Sequence, residues 1–121
     1  MIALLLVALG GGAGALIRFA AQRLFIARTG RPHAGTLLVN LIGTFALGLL
    51  SGLPVTAESR PAQFLAGIGF LGGLTTFSTV MAQLAELLRA RRWRAAAAYG
   101  LATFGGALLL AAAGFAAGRR I

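Results

Sequence analysis

The chain has 121 residues, 59% of them hydrophobic and only 11% charged, with a mean hydropathy of +0.90. A soluble domain of that size would have no polar surface to show water, so the composition excludes one. Cysteine and aspartate are absent, and one histidine and two glutamates remain. That excludes disulfides and thiolate chemistry and leaves almost nothing for the acid-base or metal work of an enzyme.

Four apolar segments follow one another, each of roughly the 17–25 residues that a membrane-spanning helix needs. They predict an all-α membrane protein of four transmembrane helices, a single domain over residues 1–121. The first segment runs from Ile2 to Ile26. No positive region precedes its apolar run, and the pattern continues past the small residues, so it reads as a retained helix rather than a signal peptide. Arg18 lies inside it, either snorkelling to the head groups or drawing anions into a vestibule.

The second segment, Gly35 to Leu53, carries Thr36, Asn40 and Thr44 on one helical face with Gly43 and Gly48. A polar residue inside a membrane is a functional hypothesis by default. The bland role of Asn40 is an interhelical hydrogen bond, worth about 0.6–2 kcal/mol. The third segment, Ala62 to Leu88, contains Gly72-Gly73-Leu74-Thr75-Thr76-Phe77-Ser78-Thr79. Glycines loosen a helix and hydroxyls offer its backbone other partners. We read Gly72 to Thr76 as an interruption whose freed carbonyls face a cation, since unpaired carbonyls in lipid cost several kcal/mol each. The alternative is an unbroken helix with a packing notch. The fourth segment, Ala95 to Ala117, places Tyr99, Thr103 and Ala107 on one face. Tyr99 on its own reads as an interfacial anchor.

The connections carry turn formers: Thr29 to Pro32, Pro54 to Pro61, and Arg89 to Arg94. Pro54 and Pro61 are expected to stop helices on either side. Glycines recur at four-residue spacing as Gly10 and Gly14, Gly48 and Gly52, Gly69 and Gly73, Gly114 and Gly118, which lets helix backbones approach closely. Four such helices enclose little, so a pathway is expected to be shared between subunits. Gly67-x-Gly69-x-x-Gly72 matches a dinucleotide fingerprint only formally, because it lies inside a membrane segment.

Hydroxyls, an amide and the electropositive edge of Phe77, with no acid in mid-membrane, form a lining that suits an anion. A small multidrug antiporter of similar size would need a carboxylate in its first helix, and none of Met1 to Ile26 is acidic.

Gly11-Gly12-Ala13-Gly14-Ala15-Leu16-Ile17-Arg18, Gly35-Thr36-Leu37-Leu38-Val39-Asn40-Leu41-Ile42-Gly43-Thr44-Phe45 and Gly69-Phe70-Leu71-Gly72-Gly73-Leu74-Thr75-Thr76-Phe77-Ser78-Thr79 resemble the fluoride channel (Fluc/CrcB) family. The resemblance spans all four segments. It implies a plasma-membrane, multi-pass, fluoride-selective channel, built as an antiparallel dimer with two pores and a structural sodium ion that is not transported. Carried over by motif position, Gly72 and Thr75 would give carbonyls to sodium. Asn40 would donate to fluoride and Phe77 would present its ring edge. Ser78 and Thr79 would belong to the same pathway, Thr103 would continue the polar track with Tyr99 beside it, and Arg18 would stand at the vestibule. Three positions depart from the pattern: Val80 in place of a second phenylalanine, Gln83 in place of a glutamate, and Ala107 where a hydroxyl is common.

The net charge of +9 is carried by arginine alone. The arginines cluster at segment ends and connections, which is a topology and head-group signal rather than a nucleic-acid surface. Four spans put Arg60, Arg119 and Arg120 on the face of both termini. The opposite face receives Arg23, Arg28, Arg31, Arg89, Arg91, Arg92 and Arg94 and is expected inside. Such a bias leaves open whether the dimer partner is the chain itself or a paired, oppositely oriented homologue.

Overall fold

The residues at the turns explain where each long helix begins and ends. The computed structural model describes residues 1–121, apart from the side chain of Ala57. Helix α1, Ile2–Thr29, stops at Gly30, whose φ of +66° is left-handed and whose N–H reaches the Ile26 carbonyl at 2.8 Å. Glycine takes that conformation without a Cβ penalty. Helix α2, Pro32–Gly52, opens on a proline that lacks only an N–H the first turn would leave unpaired.

In the connection that follows, helices stop before Pro54 and before Pro61 as expected, at Gly52 and Glu58. Each proline also lies in the first turn of a new helix, α3 (Pro54–Glu58) and α4 (Arg60–Ala62). The physical reason is that the ring clash and missing N–H of proline end one helix, while its fixed φ pre-organises the next. The third span then runs through a π-helical segment, Gln63–Leu71, and a single turn, α5 (Gly72–Leu74), to the extended pair Thr75 and Thr76. It resumes as α6, Phe77–Arg89, and α7, Trp93–Arg120, completes the chain.

The fold is all-α, with four stretches long and apolar enough to cross a membrane: Ile2–Thr29, Pro32–Gly52, Arg60–Arg89 and Trp93–Arg120. Their outward residues are apolar; Leu4, Leu101 and Leu108 are each 74% exposed. Water penalises such a surface and lipid does not.

Glycine decides how the spans pair. A Cβ on Gly10 or Gly14 would run into the carbonyl of Leu65 or Phe70, and one on Gly73 into that of Gly11. Likewise a Cβ on Gly48, Gly52, Gly114 or Gly118 would strike the carbonyl of Ala111, Phe115, Phe45 or Leu49. Thus α1 lies backbone to backbone on the π-helical segment and α5, and α2 on α7. In lipid this close packing replaces the hydrophobic drive between helices. A small core of Val80, Leu87, Ala96 and Tyr99 ties α6 to α7.

Candidate functional site at the helix break

The break is narrower than the sequence suggests. Gly72 to Leu74 remain helical, and only Thr75 (φ −84°, ψ 156°) and Thr76 (φ −146°, ψ 123°) are extended. Hydrogen bonds define it from both sides. The Thr76 hydroxyl caps α6 by accepting the Thr79 N–H at 3.2 Å. Across the bundle, Asn40 of α2 clamps Thr76: its Oδ1 accepts the Thr76 N–H at 2.7 Å, and its Nδ2 donates to the Thr76 carbonyl at 3.0 Å. Asn40 is 7% exposed, so this is a buried amide answering a buried peptide. Gly43, one turn along α2, leaves room for the Thr75 methyl group, with which a Cβ would clash.

These bonds release carbonyls. In an unbroken helix the Thr76 N–H would serve the Gly72 carbonyl, and the Thr79 N–H would serve that of Thr75. The first goes to Asn40 and the second to the Thr76 hydroxyl. Gly72 and Thr75 are the residues whose carbonyls are assigned to sodium from the resemblance, and losing their helical donors fits them for a hard cation. The Thr75 carbonyl has one further neighbour: Arg18 of α1 donates to it at 3.4 Å. Arg18 is therefore turned toward the break and half-buried rather than extended along the helix toward a membrane surface.

Beside the break lies a notch of about 190 Å³, bordered by Asn40, Thr76, Phe77, Val80, Thr103, Phe104 and Ala107. Its donors are not all spent. Thr103 is 5% exposed, and its hydroxyl has no hydrogen-bond partner among the described residues. One N–H of the Asn40 amide holds Thr76, and the other has no partner among the described residues. Phe77 opens α6 with its ring 67% exposed.

The notch thus gathers Asn40, Phe77 and Thr103 with two of the departures, Val80 and Ala107. Val80 is only 1% exposed and packs as core. Ser78 and Thr79 do not border it. The Ser78 hydroxyl stands 3.3 Å from that of Thr76, and Thr79 is bound to the same cap. Tyr99 corrects the interfacial reading: it is buried, its hydroxyl donates to Gln83 Oε1 at 2.6 Å, and its ring meets His33 edge to face at 5.4 Å. The third departure, Gln83, is therefore the acceptor that holds Tyr99. Two residues went unmarked as site residues. Thr76 was visible in the hydroxyl run as an N-cap, three residues before Thr79. Phe104 carried no signal, since one phenylalanine in an apolar span looks like any other.

Donors and a ring without an acid can hold an anion, and released carbonyls can hold a cation. Fold and site together define a small, multi-pass helical membrane protein with an interrupted span beside a notch lined by hydrogen-bond donors and aromatic rings. The chain belongs to the CrcB family: residues 5–115 match the profile described as CrcB-like protein, Camphor Resistance. It is 39% identical over 119 residues to fluoride-specific ion channel FluC 1 of Geobacillus kaustophilus, covering 98% of this chain and 100% of that one. It is 43% identical to FluC 1 of Parasynechococcus marenigrum, over 94% of this chain and 91% of that one. A Pseudomonas putida FluC is 42% identical, with 94% and 95% covered. The family is one of transport proteins, and the chain is not an enzyme.

Proposed function

We propose that this chain is a subunit of a fluoride-selective channel that lets fluoride leave the cytoplasm passively across the plasma membrane. The observation that carries the reading is the notch, which Asn40, Phe77 and Thr103 border together and where the buried Thr103 hydroxyl has no hydrogen-bond partner among the described residues. Fluoride holds its water tightly, so a selective path must replace that water with donors fixed in place. Asn40 is fixed by its clamp on Thr76 and Thr103 by burial in α7. The edge of Phe77 adds partial positive charge without a hydroxyl. None of the residues bordering the notch is an acid or a histidine, so nothing there couples the ion to a proton. That favours a channel over an antiporter.

Two further features belong to this reading. The Gly72 and Thr75 carbonyls would hold a structural sodium ion, two from each subunit of an antiparallel dimer. Such an ion supplies fixed positive charge at the junction and needs no turnover. The exposed ring of Phe77 supports a partner subunit, because a selectivity element open to lipid would confine nothing. A paired homologue is the second reading for that partner, favoured by Val80 and Ala107, which bring only aliphatic groups to the notch.

Fluoride efflux from liposomes loaded with sodium fluoride tests the proposal. Fast, non-saturating efflux is expected, and it should fall steeply in Phe77→Ile with the dimer intact. Slow, saturable efflux, or efflux that requires a counter-transported ion, would replace the channel with a transporter.

A further inference from the structure

We infer that Phe104 of α7 is a second aromatic wall of the anion path, a selectivity residue that supplies the ring Val80 does not. The inference rests on the fluoride-channel reading and goes beyond it. Its first support is position. Phe104 borders the same notch as Phe77 and Thr103, and the two rings lie 6.3 Å apart at 53°. That distance falls in the range of roughly 4.5–7 Å where aromatic pairs attract. A tilted pair, unlike a flat stack, turns edge hydrogens of one ring toward its neighbour, and those edges are the positive part.

The second support is the way α7 is held. Gly114 and Gly118 press its backbone against the carbonyls of Phe45 and Leu49, which fixes the rotation of α7 on α2. Thr103 and Phe104 are about 100° apart around the helix axis. With Thr103 pointing into the bundle, Phe104 falls at the rim of the notch. The third support is exposure. The lipid-facing leucines of α7, Leu101, Leu108 and Leu109, are 74%, 74% and 75% exposed, whereas Phe104 is 44% exposed beside the Phe77 ring. Phe104 shares a helix face with Leu101 and Leu108 at three- and four-residue spacing, yet it is less exposed than either, which places it at the edge of that face nearest the notch. Val80, on the α6 side of the notch, is a buried aliphatic. Two aromatic walls are still present, one from α6 and one from α7.

The test is fluoride and chloride efflux from liposomes holding the wild-type dimer, Phe104→Ile, Phe104→Tyr, Phe77→Ile and the double variant Phe77→Ile/Phe104→Ile. Dimer content is checked by gel filtration in each case. Phe104→Ile should lower fluoride efflux about tenfold or more, while Phe104→Tyr, which keeps the ring, should hold it near wild type. The double variant should lose less than the product of the two single losses, because both rings act on one ion. If Phe104→Ile does not assemble, Phe104→Leu serves as the ring-free dimer. Wild-type efflux from a ring-free dimer, or strictly multiplicative losses, would overturn the inference and leave the channel reading standing. Absence of fluoride efflux from the wild type would overturn both.

Discussion

At the scale of single residues, Asn40 is both a structural clamp and, through its second N–H, a candidate donor to the ion. Two substitutions separate these roles. Asn40→Ala removes both bonds to Thr76 and leaves a buried N–H and a buried carbonyl unmet, at about 1–3 kcal/mol for each. The protein should melt at lower temperature and the flux should fall with it. Asn40→Asp still accepts the Thr76 N–H but cannot donate when ionised, and it places negative charge where fluoride must pass. It should abolish fluoride efflux while losing less stability than Asn40→Ala. Fluoride efflux equal to wild type in Asn40→Asp would remove Asn40 from the pathway. The importance of Asn40 was legible as a lone amide on a membrane helix face. Its partner was not, because Thr76 is 36 residues away and no local pattern announces a pairing between spans.

At the scale of elements, the interrupted third span was legible from adjacent glycines and hydroxyls, and the glycine spacings marked where backbones touch. The π-helical run Gln63–Leu71 was not legible, since its period differs from that of an α-helix and the span is apolar on every side. The prolines were legible as stops, but the short helices they open were not, because a sequence shows where a helix must end more readily than where the next one begins. The break makes its own prediction. A Cβ on Gly72 would meet only the Gly67 carbonyl, at 4.0 Å, so Gly72→Val has room within the subunit. It should insert and fold, yet lose sodium-dependent dimerisation, because the added bulk stands at a carbonyl proposed to face the ion. Thr75→Ser keeps the hydroxyl that donates to the Leu71 carbonyl at 3.0 Å and gives up only a methyl group. Its dimer should lose no more than about 1 kcal/mol. Analytical ultracentrifugation in sodium and in a large organic cation checks both variants, and equal tolerance of the two would return the region to a packing role.

At the scale of the whole molecule, the charge distribution and the unfinished notch concern the same partner. Arginine is concentrated on the face of the α1–α2 and α6–α7 connections, which favours that face inside and both termini outside. A chain that inserted both ways to form an antiparallel homodimer would show little bias. A C-terminal reporter on the chain expressed alone should therefore read mainly outside. Equal inside and outside signals, with full fluoride flux, would show that the chain is its own partner. The central claim is that the path beside the Thr75–Thr76 break passes fluoride passively and excludes other halides. The most direct measurement is the reversal potential in a planar bilayer holding the reconstituted protein, with fluoride at unequal concentrations on the two sides and chloride making up the difference. The expected result is a current that reverses near the fluoride equilibrium potential and does not shift when chloride is replaced by a larger anion. A reversal that follows chloride, or a flux that persists without any current, would contradict the account.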